Sequence, residues 1–116
     1  MTVVLSFPRP CRPVTANSRQ HWAAKRRQLQ PWRQALSVAW VEAGRPTGLP
    51  PSVVQITFGV PDRRRRDPSN LMPTQKALLD QLVELSVWPD DDPAWVTERM
   101  PLLEVGFTVR VEIAPR

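Results

Sequence analysis

Residues 53–85 read VVQITFGVPDRRRRDPSNLMPTQKALLDQLVEL, and they carry a strand, a charged loop and a helix in direct succession. Val54, Ile56, Phe58 and Val60 recur at every second position, the period of a strand with one apolar face. Pro61 ends that strand. Arg63 to Asn70 then forms a charged loop leaving its end. The next helix is expected to be capped by Asn70, with Pro73 tolerated in its first turn. Leu71, Leu78, Leu82 and Leu85 mark its buried face, while Lys76, Asp80 and Glu84 lie four apart on a polar one.

Upstream, Val3 to Phe7 reads as a short strand ended by Pro8 and Pro10, followed by a proline-rich loop from Arg9 to Val14. Asn17 or Ser18 is expected to cap a helix whose apolar residues Trp22, Leu29, Trp32, Leu36, Trp40 and Ala43 share one face. Pro31 should kink that helix or start a second one, and Gly44 closes it. Downstream, Trp88 to Pro93 is a turn. Val96 to Leu103 and Phe107 to Ile113 look like a closing pair of strands joined near Glu104 and Gly106. The order β-α-β-α-β-β predicts a small single α/β (α+β) domain over residues 1–116, with a mixed sheet and two main helices.

The composition narrows the function. At 116 residues and 41% hydrophobic content, the chain has one modest core. No apolar run approaches a membrane span, and the first residues lack a secretory pattern. The lone Cys11 cannot form an internal disulfide, which makes a reducing cytoplasm the expected compartment. The net charge is +5, and 14 of the 16 basic residues are arginine. A positive excess points to a polyanionic partner, most simply nucleic acid.

The chemistry concentrates after the second strand. Arg63, Arg64, Arg65 and Arg66 run into Asp67, and Asn70, Lys76, Asp80 and the triplet Asp90, Asp91, Asp92 follow. Dense positive charge beside clustered carboxylates suits a metal-dependent nuclease. Carboxylates hold a hard cation such as Mg²⁺, and arginines hold the phosphates of the strand to be cut. Each piece also has a plain reading: a solvated arginine loop, an Asp-Pro turn, a surface Lys76–Asp80 pair, a solvated acidic turn. The run's place between a strand end and the carboxylates favours the chemical reading. Asn17, Arg19, Lys25, Arg26 and Arg27 suit a second phosphate-contacting face. The only histidine, His21, reads as packed or capping rather than as a ligand or base. Trp22, Trp32 and Trp40 read as core, and Trp88 and Trp95, which flank the acidic turn, as the aromatics that meet DNA or a partner.

Taken in order, Asn17-Ser-Arg19-Gln-His21-Trp22, then Trp32-Arg33, Arg-Arg-Arg-Asp67-Pro-Ser-Asn70, Lys76 with Asp80, and Trp88-Pro-Asp90-Asp91 resemble the RusA family of Holliday junction resolvases. The likeness runs from about Asn17 to Val96. It implies a homodimer, often encoded by phages or prophages, that uses Mg²⁺ (with Mn²⁺ as a substitute) to cut four-way DNA junctions by symmetric nicks. It implies Asp67 as a metal ligand and Asp91, with Asp90 beside it, as a second carboxylate. Lys76 would meet the phosphate, and Asn70 would shape the loop. Two positions depart from the family pattern. Ser69 stands where a second aspartate is usual, so that Asp80 or Asp92 would have to compensate, and Leu71 to Gln75 places Lys76 later than in the shortest pattern. Ser69 also opens an alternative: a protein of the same fold that binds DNA junctions without cutting them. A basic protein-interaction module is a third reading, but it leaves the carboxylates unexplained.

Overall fold

The computed structural model describes residues 1–19 and 21–116. Its elements are β1 (Val3–Pro8), α1 (Trp22–Glu42), β2 (Ser52–Val60), a 3-10 turn (Pro68–Leu71), α2 (Met72–Glu84), β3 (Val96–Glu98), β4 (Leu102–Val105) and β5 (Thr108–Pro115). They build one mixed five-stranded sheet and two helices, an α+β fold. Both helices cover one face. Leu5 and Phe7 of β1, Val54, Ile56 and Phe58 of β2, and Val109, Val111 and Ile113 of β5 point into the same core as Trp32 and Leu36 of α1 and Leu78, Leu79 and Leu82 of α2. The alternate residues Ser6, Gln55, Arg110 and Glu112 stay at least partly in solvent, as expected for a sheet covered on one side. At the core's centre the Trp32 ring meets Phe7 edge-on (centroids 6.2 Å apart) and Phe58 at a tilt (5.9 Å).

The last strands depart from the simple hairpin expected from the sequence. Segment 96–103 is two strands, because the edge holds a bulge. Val54 pairs with Glu98 and Thr57 with Leu102, three steps along β2 against four along the edge. Pro101 has no N–H to give the ladder there. Two glutamines hold the bulge instead: Gln55 Nε2 donates to the Met100 carbonyl (2.8 Å), and buried Gln75 donates to the Arg99 carbonyl (3.0 Å) and to Glu98 (2.8 Å). Nor do β4 and β5 pair with each other. β4 lies parallel to β2 on one side, and β5 lies antiparallel to it on the other, between β2 and β1. Their link wraps the end of β2, where Gly106 N–H donates to the Val60 carbonyl (2.9 Å). Gly59 permits the wrap. A Cβ there would stand 2.7 Å from the backbone of Thr108 and 2.8 Å from that of Gly106.

The helix ends also differ from expectation. α1 is capped by His21, whose Nδ1 accepts the Ala23 N–H (3.3 Å), not by Asn17 or Ser18. Ser18 instead closes a local turn on the Thr15 N–H (3.1 Å). α1 runs unbroken through Pro31 and ends before Gly44, whose φ of 91° suits glycine. Asn70 does not cap α2 but lies inside the 3-10 turn, because Asp67 takes the capping role three residues earlier.

Candidate nucleic-acid interface

The loops that leave β1 and β2 run side by side at one end of the sheet. The first is pinned by three bonds: Arg9 N–H to the Phe107 carbonyl (2.7 Å), Ala16 N–H to the Asn70 carbonyl (2.9 Å), and the Thr74 hydroxyl to the Val14 carbonyl (2.8 Å). Between the loops lies a cleft of about 620 Å³ lined by Arg9, Arg12, Arg64, Arg65, Arg66 and Asp67, among others. Five guanidinium groups face two carboxylates there, Asp62 and Asp67, a net charge of +3. Such a cleft concentrates field lines and draws in anions.

Asp62 organises the arginine loop. Its carboxylate accepts the Arg64 N–H (2.9 Å) and pairs with Arg66 (3.0 Å). These bonds, the backbone one first, hold the Asp62 carboxyl below its usual range. Arg66 also donates to the Asp62 and Arg64 carbonyls, both at 3.0 Å, and so braces the loop from within. Arg12, Arg63 and Arg65 have no carboxylate partner among the described residues. Arg12 and Arg65 therefore line the cleft with charge to spare, while Arg63 lies outside its lining. The sequence reading passed over Arg9, Arg12 and Asp62. Their signal was basic residues immediately after a strand end, on a chain whose other basic run follows another strand end.

Asp67 stands at the cleft's edge as the cap of the 3-10 turn. Its Oδ1 accepts both the Ser69 hydroxyl (2.8 Å) and the Ser69 N–H (3.0 Å). The two bonds, the hydroxyl's first, keep the exposed carboxyl ionised below the ordinary aspartate range.

The other carboxylates gather elsewhere. Lys76 Nζ donates to Asp80 Oδ1 (2.8 Å), one turn along α2, and to Asp91 Oδ2 (2.5 Å) across the turn after it. Buried Val87 and Trp88 set that turn, the indole N–H donating to the Ser52 hydroxyl (3.2 Å). The acidic triplet divides its labour. Asp90 accepts the Asp91 N–H (2.7 Å), Asp92 accepts the Ala94 N–H (2.9 Å), and Asp91 alone reaches the lysine. Asp80 and Asp91 raise the Lys76 pKa above its ordinary value, and Lys76 lowers that of Asp91.

Asp67 and Asp91 are ionised oxygen donors, the kind a hard divalent cation takes. No three His, Cys, Asp or Glu side chains stand together as a metal cage among the described residues. Asp67 stands at the cleft and Asp91 in the separate Lys76 cluster, so a cation at the cleft would take the one carboxylate of Asp67, with water and substrate phosphates completing its shell.

The aromatic expectations hold for Trp32, buried in the core, and for Trp40, packed against it, but not for the other three. Trp88 is buried in the core and Trp95 packs against it. Trp22, expected inside, is 62% exposed at the start of α1. Asn17, Arg19, Arg26 and Arg27 are exposed and Lys25 is half-buried beside it in sequence. No helix among the described residues is long and apolar enough to cross a membrane. A scan against models of known families finds no match, and neither does a search of curated proteins.

Proposed function

We propose that the protein is a Mg²⁺-dependent, structure-selective endodeoxyribonuclease of the RusA type, which resolves four-way DNA junctions by paired nicks during recombination and repair in a bacterial or phage-infected cytoplasm. The observation that carries the reading is the cleft: five arginines converge on it, with an ionised Asp67 among them. Guanidinium forks bind phosphate oxygens in pairs, so the cleft seats a DNA backbone. Asp67 would hold the metal at the cleft, and Asp91, with Asp90 and Asp80 near it in the Lys76 cluster, would have to close on the same ion to act as a second carboxylate. When bound, Mg²⁺ polarises a phosphoryl oxygen and makes an attacking water more acidic. Lys76 stays protonated between Asp80 and Asp91 and offers positive charge to the phosphate as negative charge builds on it. Paired nicks require two sites, hence a homodimer. Leu102 and Val105 on the open edge of β4, and Phe107 beyond it, are exposed apolar residues available to a second copy.

A second reading has its own support. The Ser69 hydroxyl occupies the Asp67 oxygen where the family pattern has a further carboxylate, which favours a junction-binding protein that does not cut. One experiment separates the two: a labelled four-way junction incubated with and without Mg²⁺, run on native and denaturing gels. Tighter binding of junction than duplex, with nicks only in Mg²⁺, supports the nuclease. Binding without nicks under Mg²⁺ or Mn²⁺ supports the second reading, and equal affinity for duplex and junction overturns both.

A further inference from the structure

Of the five tryptophans, Trp32 and Trp88 are buried, Trp40 and Trp95 are half-buried, and Trp22 alone is left largely in water, with 62% of its surface exposed. A single exposed indole is common on a protein surface, but this one is held by specific partners. Its neighbours hold it in place. The His21 ring leans on it at 5.4 Å between centroids, and the Arg26 guanidinium lies 5.8 Å from the ring centre. Arg19, Lys25 and Arg27 lie within five residues of it in sequence, and none of these basic side chains is ion-paired among the described residues. The first turn of α1 has no acidic residue to balance them.

We infer that Trp22 is a stacking platform for an unpaired nucleobase of the strand whose phosphates the neighbouring basic residues hold. This rests on the nucleic-acid reading of the cleft and extends it from phosphates to bases. Charge complementarity selects the occupant: an exposed indole with Arg26 against it, on a stretch of chain rich in basic residues without carboxylate partners, matches a single strand, which offers a base and a phosphate at every step. The place suits it as well. The loop that forms one wall of the cleft leads into α1, and Gln28, two turns into the helix, donates to the Arg12 carbonyl of that wall (2.7 Å). The wall is thereby fastened to α1, the helix that begins at Trp22. At a branch point, unstacked bases are within reach of such a ring.

The test compares two fluorescent probes of equal length in EDTA: an oligothymidylate and an abasic deoxyribose-phosphate oligomer. Both carry the same phosphates, and only the first has bases. The wild type is expected to bind the oligothymidylate roughly fivefold or more tightly, the span of one base–aromatic stack. Trp22→Ala should erase that preference while leaving affinity for the abasic probe unchanged, and Trp22→Phe should keep part of it. If Trp22 were only a clasp for the helix start, Trp22→Ala would lower the melting temperature yet keep the preference, and the inference would fall. Equal wild-type affinity for the two probes would overturn the stacking role and leave the phosphate cleft standing. Failure to bind either probe would overturn the cleft reading along with it.

Discussion

Ser69 gives both of its hydrogen-bond donors, hydroxyl and backbone N–H, to the same carboxylate oxygen of Asp67. The serine thus acts as an internal counterpart to the aspartate's charge. Replacing it with a carboxylate removes the hydroxyl donor and sets two negative groups against each other. Ser69→Asp should therefore melt at a lower temperature than wild type in EDTA and recover in millimolar Mg²⁺. Its nicking should also reach half-maximum at lower Mg²⁺. A melting temperature indifferent to Mg²⁺ in this variant would remove Asp67 from the metal site.

Lys76 joins two segments 15 residues apart through Asp91. Asp91→Asn should abolish nicking and leave junction binding intact or tighter, because it removes a ligand and a negative charge near the phosphates. Asp67→Asn should do the same. Gel shifts beside cleavage assays measure both effects. Lys76→Ala should slow cleavage with a smaller loss of binding.

The same pair sets a pH window. The depressed Asp91 pKa adds stability that is present above the ordinary value of 3.8 and is lost as pH falls through the lowered one. The raised Lys76 pKa adds stability that is complete below 10.5 and is lost as pH climbs through the raised one. The stability gap between wild type and Asp91→Asn should therefore be flat across neutral pH and close in acid. For a pair this open to solvent the gap should be about 0.2–1 kcal/mol, read from urea melts at several pH values.

Arg12 and Arg65 line the cleft without carboxylate partners, so their charge is available to DNA. Arg12→Ala and Arg65→Ala should each weaken binding to any DNA sequence and flatten the slope of log K against log salt by about one. Arg66→Ala should instead lower the melting temperature as well, since Arg66 braces the loop through the Asp62 and Arg64 carbonyls.

Gly59→Ala tests the wrap over β2. The new methyl would meet backbone atoms at 2.7–2.8 Å, which cannot swing aside as a side chain can. A destabilisation of about 1–3 kcal/mol is expected in chemical unfolding. A stable variant would show that the β4–β5 link is free to move.

The strand, loop and helix of residues 52–84 were legible because periodicity and punctuation are local: alternation in β2, Pro61 at its end, leucines at helical spacing in α2. What escaped was non-local. No local pattern tells that β5 enters between β1 and β2, or that Gln55 and Gln75 hold a bulge near Met100. Helical spacing put Trp22 on the apolar face of α1, yet the helix starts at Trp22 and overhangs the core there. Trp88 looked like a rim aromatic because acidic residues follow it, whereas Ser52, far away in sequence, takes its indole N–H. At the candidate site, the residue types and their order were readable. Which carboxylate meets Lys76, and which arginines share a cleft, depends on how the loops close.

The placement of β5 also dictates when the sheet can exist. As the chain is synthesised, β1, α1, β2, α2, β3 and β4 all emerge before residues 108–115. Until then β1 has no partner strand and β2 has an open side, since β5 pairs with both. A lone β1 and the β2–β3–β4 piece of sheet thus stay apart until that strand joins them. A premature stop before Thr108 would yield not a trimmed protein but two apolar strand edges with nothing to pair with, a substrate for chaperones and proteases.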